Sequence, residues 1–199
     1  MSPAAQKTRP AHRPSRRTHI IQAAMRLFAR LSFDEVTVGD IADAAEMTPA
    51  AVYYHFAGKE QILLEGTRMF TVELIECARQ GFDEGLAVDE LMASLLQLIG
   101  KRRTFATVYF VGSAGLNPSL EAHRKTVRAD LTDVFMEAAR QARGKLSTAE
   151  AGVMGTALVS LLEMSAVSLL ARDASYRSLG ARRLRVVAGE LVNRIIGVN

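Results

Sequence analysis

The sequence predicts an all-α protein, with an N-terminal three-helix helix-turn-helix domain, a C-terminal helical bundle and about nine helices in total. Three observations predict it. Apolar residues recur with a period near 3.6 through most of the chain, and period-2 alternation of strand length is hard to find. Pro3, Pro10 and Pro14 fall in the first fourteen residues, while Pro49 and Pro118 follow a Thr and an Asn, where proline suits a first helical position. Thr37, Thr48, Asn117 and Ser147 each stand where an N-cap is wanted, just ahead of a helical pattern.

The elements follow in order. Residues 1–14 read as a basic, disordered arm. Arg16 to Leu31 is an amphipathic helix with Ile20, Ala24, Leu27, Phe28 and Leu31 on one face. After the loop Ser32–Glu35, Thr37 caps a second helix and Asp40 mimics the acidic partner of a capping box. Val38, Ile41, Ala42 and Ala45 form its buried face. The pattern breaks at Ala45-Glu46-Met47, and Thr48-Pro49 opens a third helix. Met47 and Val52 have the spacing of a hydrophobic staple, which fixes the entry angle of the chain. Two short helices joined by about three residues make a helix-turn-helix, whose second helix enters the major groove by its N-terminal residues. Val52 and Phe56 point inward on that helix, leaving Ala50, Ala51, Tyr53, Tyr54 and His55 to point elsewhere.

Beyond Gly58, a long helix runs to about Arg79, linking a head (15–60) to a body (61–199) through residues 59–80. Leu91–Ile99 is helical, Lys101-Arg102-Arg103 is a basic turn, and Phe105–Val111 is aromatic and helical. The chain breaks at Gly112–Gly115, and Asn117-Pro118 starts a long helix with Val127, Leu131, Val134, Phe135, Ala138 and Ala142 on one face. Ser147 and Glu150 make a capping box for the next helix. A last helix from about Ala181 carries the stripe Leu184, Val187, Ala188, Leu191, Val192 and Ile195.

Charge is unevenly placed. The first 33 residues hold seven Lys/Arg and no acid, while the remainder holds 18 Lys/Arg against 21 Asp/Glu. Such an arm suits a polyanion, or is a solvated tail; Arg9, Arg13, Arg16 and Arg17 are placed to reach an adjacent minor groove if it is the former. A single cysteine, Cys77, excludes an internal disulfide framework, fits a reducing cytoplasm and reads as a structural thiol. No secretory signal is evident, and Glu163 interrupts the most membrane-like stretch, 151–171, so no membrane partner is expected. The four histidines lack metal-binding spacing, and no nucleophile elbow, phosphate loop or zinc signature is present. The chain therefore reads as a non-enzyme with no catalytic residue, metal or cofactor.

Arg17, Ile21, Ala24, Leu27, Phe28, then 33–38, Ile41-Ala42, Ala45, Thr48, 52–56 and Gly58-Lys59-Glu60 together resemble the TetR family of bacterial transcriptional regulators over residues 17–65. The block Val52-Tyr53-Tyr54-His55-Phe56 followed by Lys59 is the most specific part of the match. The resemblance implies phosphate contacts at Thr37, Thr48 and Lys59, phosphate-and-sugar contacts at Tyr53, Tyr54 and His55, and base reading at Pro49, Ala50 and Ala51. Three positions depart from the family pattern. Ser32 and Glu46 stand where Gly is usual, which puts a non-glycine in a left-handed turn at Glu46. Gly39 stands where some members carry a base-reading Arg, so thymine-methyl contacts and DNA shape carry much of the specificity.

What the resemblance further implies is a ligand-responsive regulator, most simply a cytoplasmic, nucleoid-associated repressor. It would bind palindromic operator DNA as a homodimer and leave it on taking up a small apolar effector. An activator or a ligand-insensitive regulator of the same fold is the alternative. The stretch 151–171 is apolar nearly all round, so one face needs a second copy to cover it, and Ala151, Gly152, Gly155 and Ala157 permit close approach. Phe70, Met92, Phe105, Tyr109, Phe110, Phe135, Met136 and Met164 either line an effector pocket or are plain core. Glu163 is a lone carboxylate among them, facing a ligand, Arg102 or Arg103, or solvent.

Overall fold

A computed structural model describes residues 15–113, 115–170 and 180–197, so the expected arm over 1–14 lies outside the described residues. Nine helices are described: α1 (Arg16–Phe28), α2 (Val38–Ala44), α3 (Pro49–His55), α4 (Lys59–Asp83), α5 (Val88–Lys101), α6 (Arg103–Thr107), α7 (Pro118–Arg143), α8 (Thr148–Leu170) and α9 (Ala181–Ile196). α6 runs on into a single π-helical turn, Val108–Gly112. The fold class is the expected one, all-α with a three-helix head on a helical bundle.

The head packs Ile20, Ala24 and Phe28 of α1 against Ile41, Val52, Phe56 and the first turns of α4 at Ile62 and Leu63. Its core also takes Val108 from the π-turn and Leu120 from α7, so head and body are packed together. α1 ends three residues before the expected Leu31, because the chain turns at Ala29; Leu31 is consequently exposed instead of lying on the buried face. Gly66 allows α4 to cross α1 closely: a Cβ there would stand 2.5 Å from Met25 Sδ.

α4 has 25 residues, about 37 Å at 1.5 Å per residue, and carries its apolar side from one core into the other. Its later residues Phe70, Leu74 and Ala78 join the body core with Leu91, Leu95, Phe135, Leu158 and Leu162. Gly85 at φ 76° ends it, with Leu86 N–H donating to Gly81 O and Gly85 N–H to Phe82 O, so the orphan carbonyls of the last turn are satisfied.

α7 and α8 form a helical hairpin. Asn117 caps α7 through Leu120 N–H at 2.8 Å, and Ser147 caps α8 through Glu150 N–H at 3.2 Å. Their contact is close at Gly155, where a Cβ would meet Thr132 O at 2.8 Å. Ala151 is fully buried and Gly155 faces α7 of the same chain, so these two small residues serve the intrachain hairpin and not a second copy. By length and composition α8 is apolar enough to cross a membrane, and Glu163 does not bring it below that threshold. Here it is the central helix of the bundle, with Leu158, Val159, Leu162 and Ala166 fully buried among its neighbours.

Candidate nucleic-acid interface and body core

The helix-turn-helix is built from local polar chemistry. Thr37 Oγ1 accepts from Asp40 N–H at 3.1 Å, and Asp40 Oδ2 accepts from Thr37 N–H at 2.8 Å, completing the box that starts α2. The Thr37 hydroxyl also donates to Asp40 at 2.6 Å. These bonds, the side-chain one first, hold the Asp40 carboxyl below the usual carboxylate range. Both donors of Thr37 are thus turned onto Asp40, and what α2 presents outward is the backbone N–H groups of its first turn. Thr48 differs: its Oγ1 accepts from Ala51 N–H at 3.2 Å, which leaves its own proton available on an exposed residue.

Between the two helices, Glu46 takes φ 54°, the left-handed conformation expected from the missing glycine. Met47 N–H donates to Ala42 O at 2.9 Å and Glu46 N–H to Asp43 O at 3.1 Å, a Schellman closure of α2. The closure aims α3. Val52 and Phe56 are buried beneath it, while Tyr53 and Tyr54 are 58% and 85% exposed. Pro49 and Ala50 are exposed, Ala51 and His55 half-buried, and the Tyr54 and His55 rings meet edge to face at 5.1 Å.

Two cations have structural partners that their local sequence does not announce. Arg17 does not extend with the arm toward a groove; its guanidinium is bound within the head. It donates to Glu65, at 3.1 Å through Nε, and to the His55 carbonyl, and it lies 4.1 Å over the Phe56 ring. It is a strut between α1, the end of α3 and α4. Lys59 Nζ donates to the carbonyls of Phe33 and Val36, both at 2.9 Å, and sits 4.4 Å over the Phe33 ring. Its ammonium secures the α1–α2 loop, leaving the backbone at the start of α4 as the part that faces outward.

In the body, Phe70, Met92, Tyr109, Phe110 and Phe135 come together in one core cluster, with Phe105 at its margin; Met136, Glu163 and Met164 are not part of it. The rings of Phe70, Tyr109 and Phe110 meet tilted or edge to face at centroid distances of 4.9 to 6.1 Å. Burial pushes the Tyr109 phenol up to about 12, so it stays neutral at physiological pH. Met164 is 63% exposed, which takes it out of any interior pocket of this chain. Glu163 pairs with Arg128, which also donates to Ser160 Oγ at 2.8 Å. The expected partners are engaged elsewhere: Arg102 grips Glu73 through two bonds of 2.6 Å, and Arg103 donates to the carbonyls of Leu169 and Leu170. Arg124 stacks 4.9 Å from the Tyr109 ring and donates to the Tyr109 carbonyl, pinning the π-turn to α7.

A capped α2, a left-handed turn and an outward-facing α3, set on a helical bundle, define a helix-turn-helix head of the DNA-binding class. Residues 20–65 match the family model described as bacterial regulatory proteins, tetR family. The chain is 31% identical over 98 residues to the HTH-type transcriptional repressor KstR2 of Rhodococcus jostii (strain RHA1), covering 47% of this chain and 48% of that one. It is 25% identical over 122 residues to the icaADBC negative transcriptional regulator IcaR of Staphylococcus epidermidis, covering 59% of this chain and 66% of that one. The chain therefore spans about half the length of the first of these relatives. Among solved structures, the fatty acid degradation regulator FadR from Bacillus halodurans superposes with a TM-score of 0.72 at 17% identity, covering 94% of this chain and 97% of that one. A TetR-like transcriptional regulator from Rhodococcus sp. RHA1 gives 0.75 at 16% identity, covering 95% and 100%. The family match thus lies in the head, over residues 20–65, and the likeness of the whole chain to these solved structures is one of fold.

Proposed function

We propose that this protein is a cytoplasmic, nucleoid-associated transcriptional repressor that binds a palindromic operator as a homodimer and is released by a small, apolar effector. The observation that carries the DNA reading is α3, a seven-residue helix that buries Val52 yet holds Tyr53 and Tyr54 largely in solvent. Two phenols held outward beside the Thr48 cap add little to folding and suit contacts to phosphate and sugar. Pro49, Ala50 and Ala51 bring almost no hydrogen-bonding capacity to base edges, so groove shape and thymine methyls would supply much of the specificity. Thr37, His55 and Lys59 contribute in this reading mainly through the backbone and through the scaffold they hold.

Dimerisation is supported by apolar residues that one copy leaves uncovered. On α8, Val153, Met164 and Val167 are exposed, and on α9 so are Val186, Val187 and Leu191. The last two helices thus offer a face for their own two-fold mate, which would set two α3 helices on successive major grooves. The effector would displace packing around Phe70, Tyr109 and Phe110, with the neutral Tyr109 phenol as its polar handle.

Two variants test the reading. Tyr53→Ala/Tyr54→Ala should weaken binding to genomic fragments captured by the wild type at least tenfold, at unchanged helicity and melting temperature. Leu191→Glu should shift the sedimenting species from dimer to monomer. Unaltered DNA affinity in the first, or a monomeric wild type in the second, contradicts the corresponding half.

A further inference from the structure

A cleft of about 530 Å3 opens between head and body, where the end of α1 meets α6, the π-turn and the end of α8. Its apolar wall is Phe28, Leu31, Val111 and Leu170, and its polar lining is Arg26, Arg30, Arg103, Thr104 and Thr107, with no Asp or Glu among the described residues. A smaller adjoining cleft shares Arg26, Arg103 and Thr104 and adds Lys101 and Arg102, again without a described acid. Arg102 is neutralised by Glu73 and Arg103 is seated on the α8 carbonyls, but no described carboxylate pairs with Arg26, Arg30 or Lys101. The two helix C-termini that border the cleft offset only about one unit of negative charge together, at about half a charge each. Three arginines therefore line an apolar floor, Arg26 and Arg30 without a carboxylate partner among the described residues, and two threonine hydroxyls stand among them.

We propose that this cleft is a binding site for an amphipathic phosphate ester, with the phosphate held by Arg26, Arg30 and Arg103 and an alkyl segment against Phe28, Leu31 and Val111. Guanidinium groups match phosphate oxygens through paired N–H donors, and the threonines supply neutral donors for the remainder. The site is separate from the Phe70–Tyr109–Phe110 core. It deepens the regulatory reading above and rests on it for its consequence: a molecule wedged there joins the end of α1 to the body, and α1 is tied through Arg17 to α3 and α4. Occupancy would set the tilt of the head.

Calorimetry on the full chain, without DNA, reads the site independently of whether the protein represses. The probe is n-octyl phosphate below its micellar concentration, with inorganic phosphate and 1-octanol as the head-only and tail-only controls. The expected result is binding at least tenfold tighter than either control, weakened at least tenfold in Arg26→Gln/Arg30→Gln with melting temperature and helicity retained. A smaller loss in that variant overturns the proposal, because the probe then sits elsewhere, in the body core for example. Equal affinity for 1-octanol overturns it as well, since the arginines would then contribute nothing.

Discussion

Head and body are held together by bonds of different reach. In the head, the interactions that shape the helix-turn-helix span three to five residues: Thr37 with Asp40, Thr48 with Ala51, Met47 with Ala42. In the body, the defining contacts join distant positions: Arg102 with Glu73, Arg128 with Glu163, Gly155 with Thr132. A local bond is written into the chain as a spacing, and a distant one is not. The exceptions in the head, Arg17 with Glu65 and Lys59 with Phe33, are 48 and 26 residues apart, and these are the two cations whose settings sequence alone did not disclose.

The largest effect that would break this contrast lies at the α7–α8 contact. Gly155→Val should destabilise the chain by about 3 kcal/mol in urea unfolding, because the new carbons would meet the backbone at Thr132 O as well as the Met136 side chain, and the backbone cannot swing aside. Gly152→Ala, in open space on the same helix, should cost nothing and gain up to about 1 kcal/mol in helix propensity. Equal effects at the two glycines would mean that the hairpin is not closely packed there.

Next comes the strut. Arg17→Gln should cost about 1–2 kcal/mol of stability, since Glu65 and the His55 carbonyl lose a charged donor in a half-buried setting. DNA affinity should fall with α3 loosened, while the dependence of log affinity on log salt stays nearly unchanged, in contrast to the loss of about one unit expected for a phosphate-contacting cation. A shallower slope would return Arg17 to the groove-reaching arm.

Glu46→Gly gives a smaller effect of opposite sign. Relief of the left-handed backbone should raise stability by about 0.5–1 kcal/mol, part of the strain relief being offset by the freer unfolded chain. The smallest effect is on pH. Asp40 and Glu150 are both lowered by bonds from the caps they complete, the side-chain one first. A depressed carboxylate contributes stability that is present above its unfolded pKa and lost as pH falls through the folded value. Asp40→Asn and Glu150→Gln should therefore lower the neutral plateau of a melting-temperature profile slightly and flatten its acid limb, with little change at pH values below the folded carboxylate range.

This difference in reach also explains what could be read without coordinates. The caps, the turn at Glu46 and the buried pair Val52 and Phe56 were legible because each follows from a fixed spacing or a known backbone need. The three-residue overrun of α1 was not, because Leu31 continues the apolar period past the point where the chain turns. The partner of Glu163 was missed for a similar reason: Arg128 lies one helix away and sequence offers no register between α7 and α8. Gly66 and Gly155 did carry a signal, since a glycine inside a helix costs about 1 kcal/mol and so marks a close approach. It does not say what approaches.

The central claim is that α3 presents a DNA-reading face and that two copies present it with two-fold symmetry. Selection of bound duplexes from a random-sequence library by the full-length protein, followed by sequencing, tests it most directly. The account predicts enrichment of an inverted repeat with half-site centres about one helical turn, or a multiple of it, apart, and loss of that enrichment in Tyr53→Ala/Tyr54→Ala. No enrichment, or a single asymmetric site bound by a monomer, would contradict it.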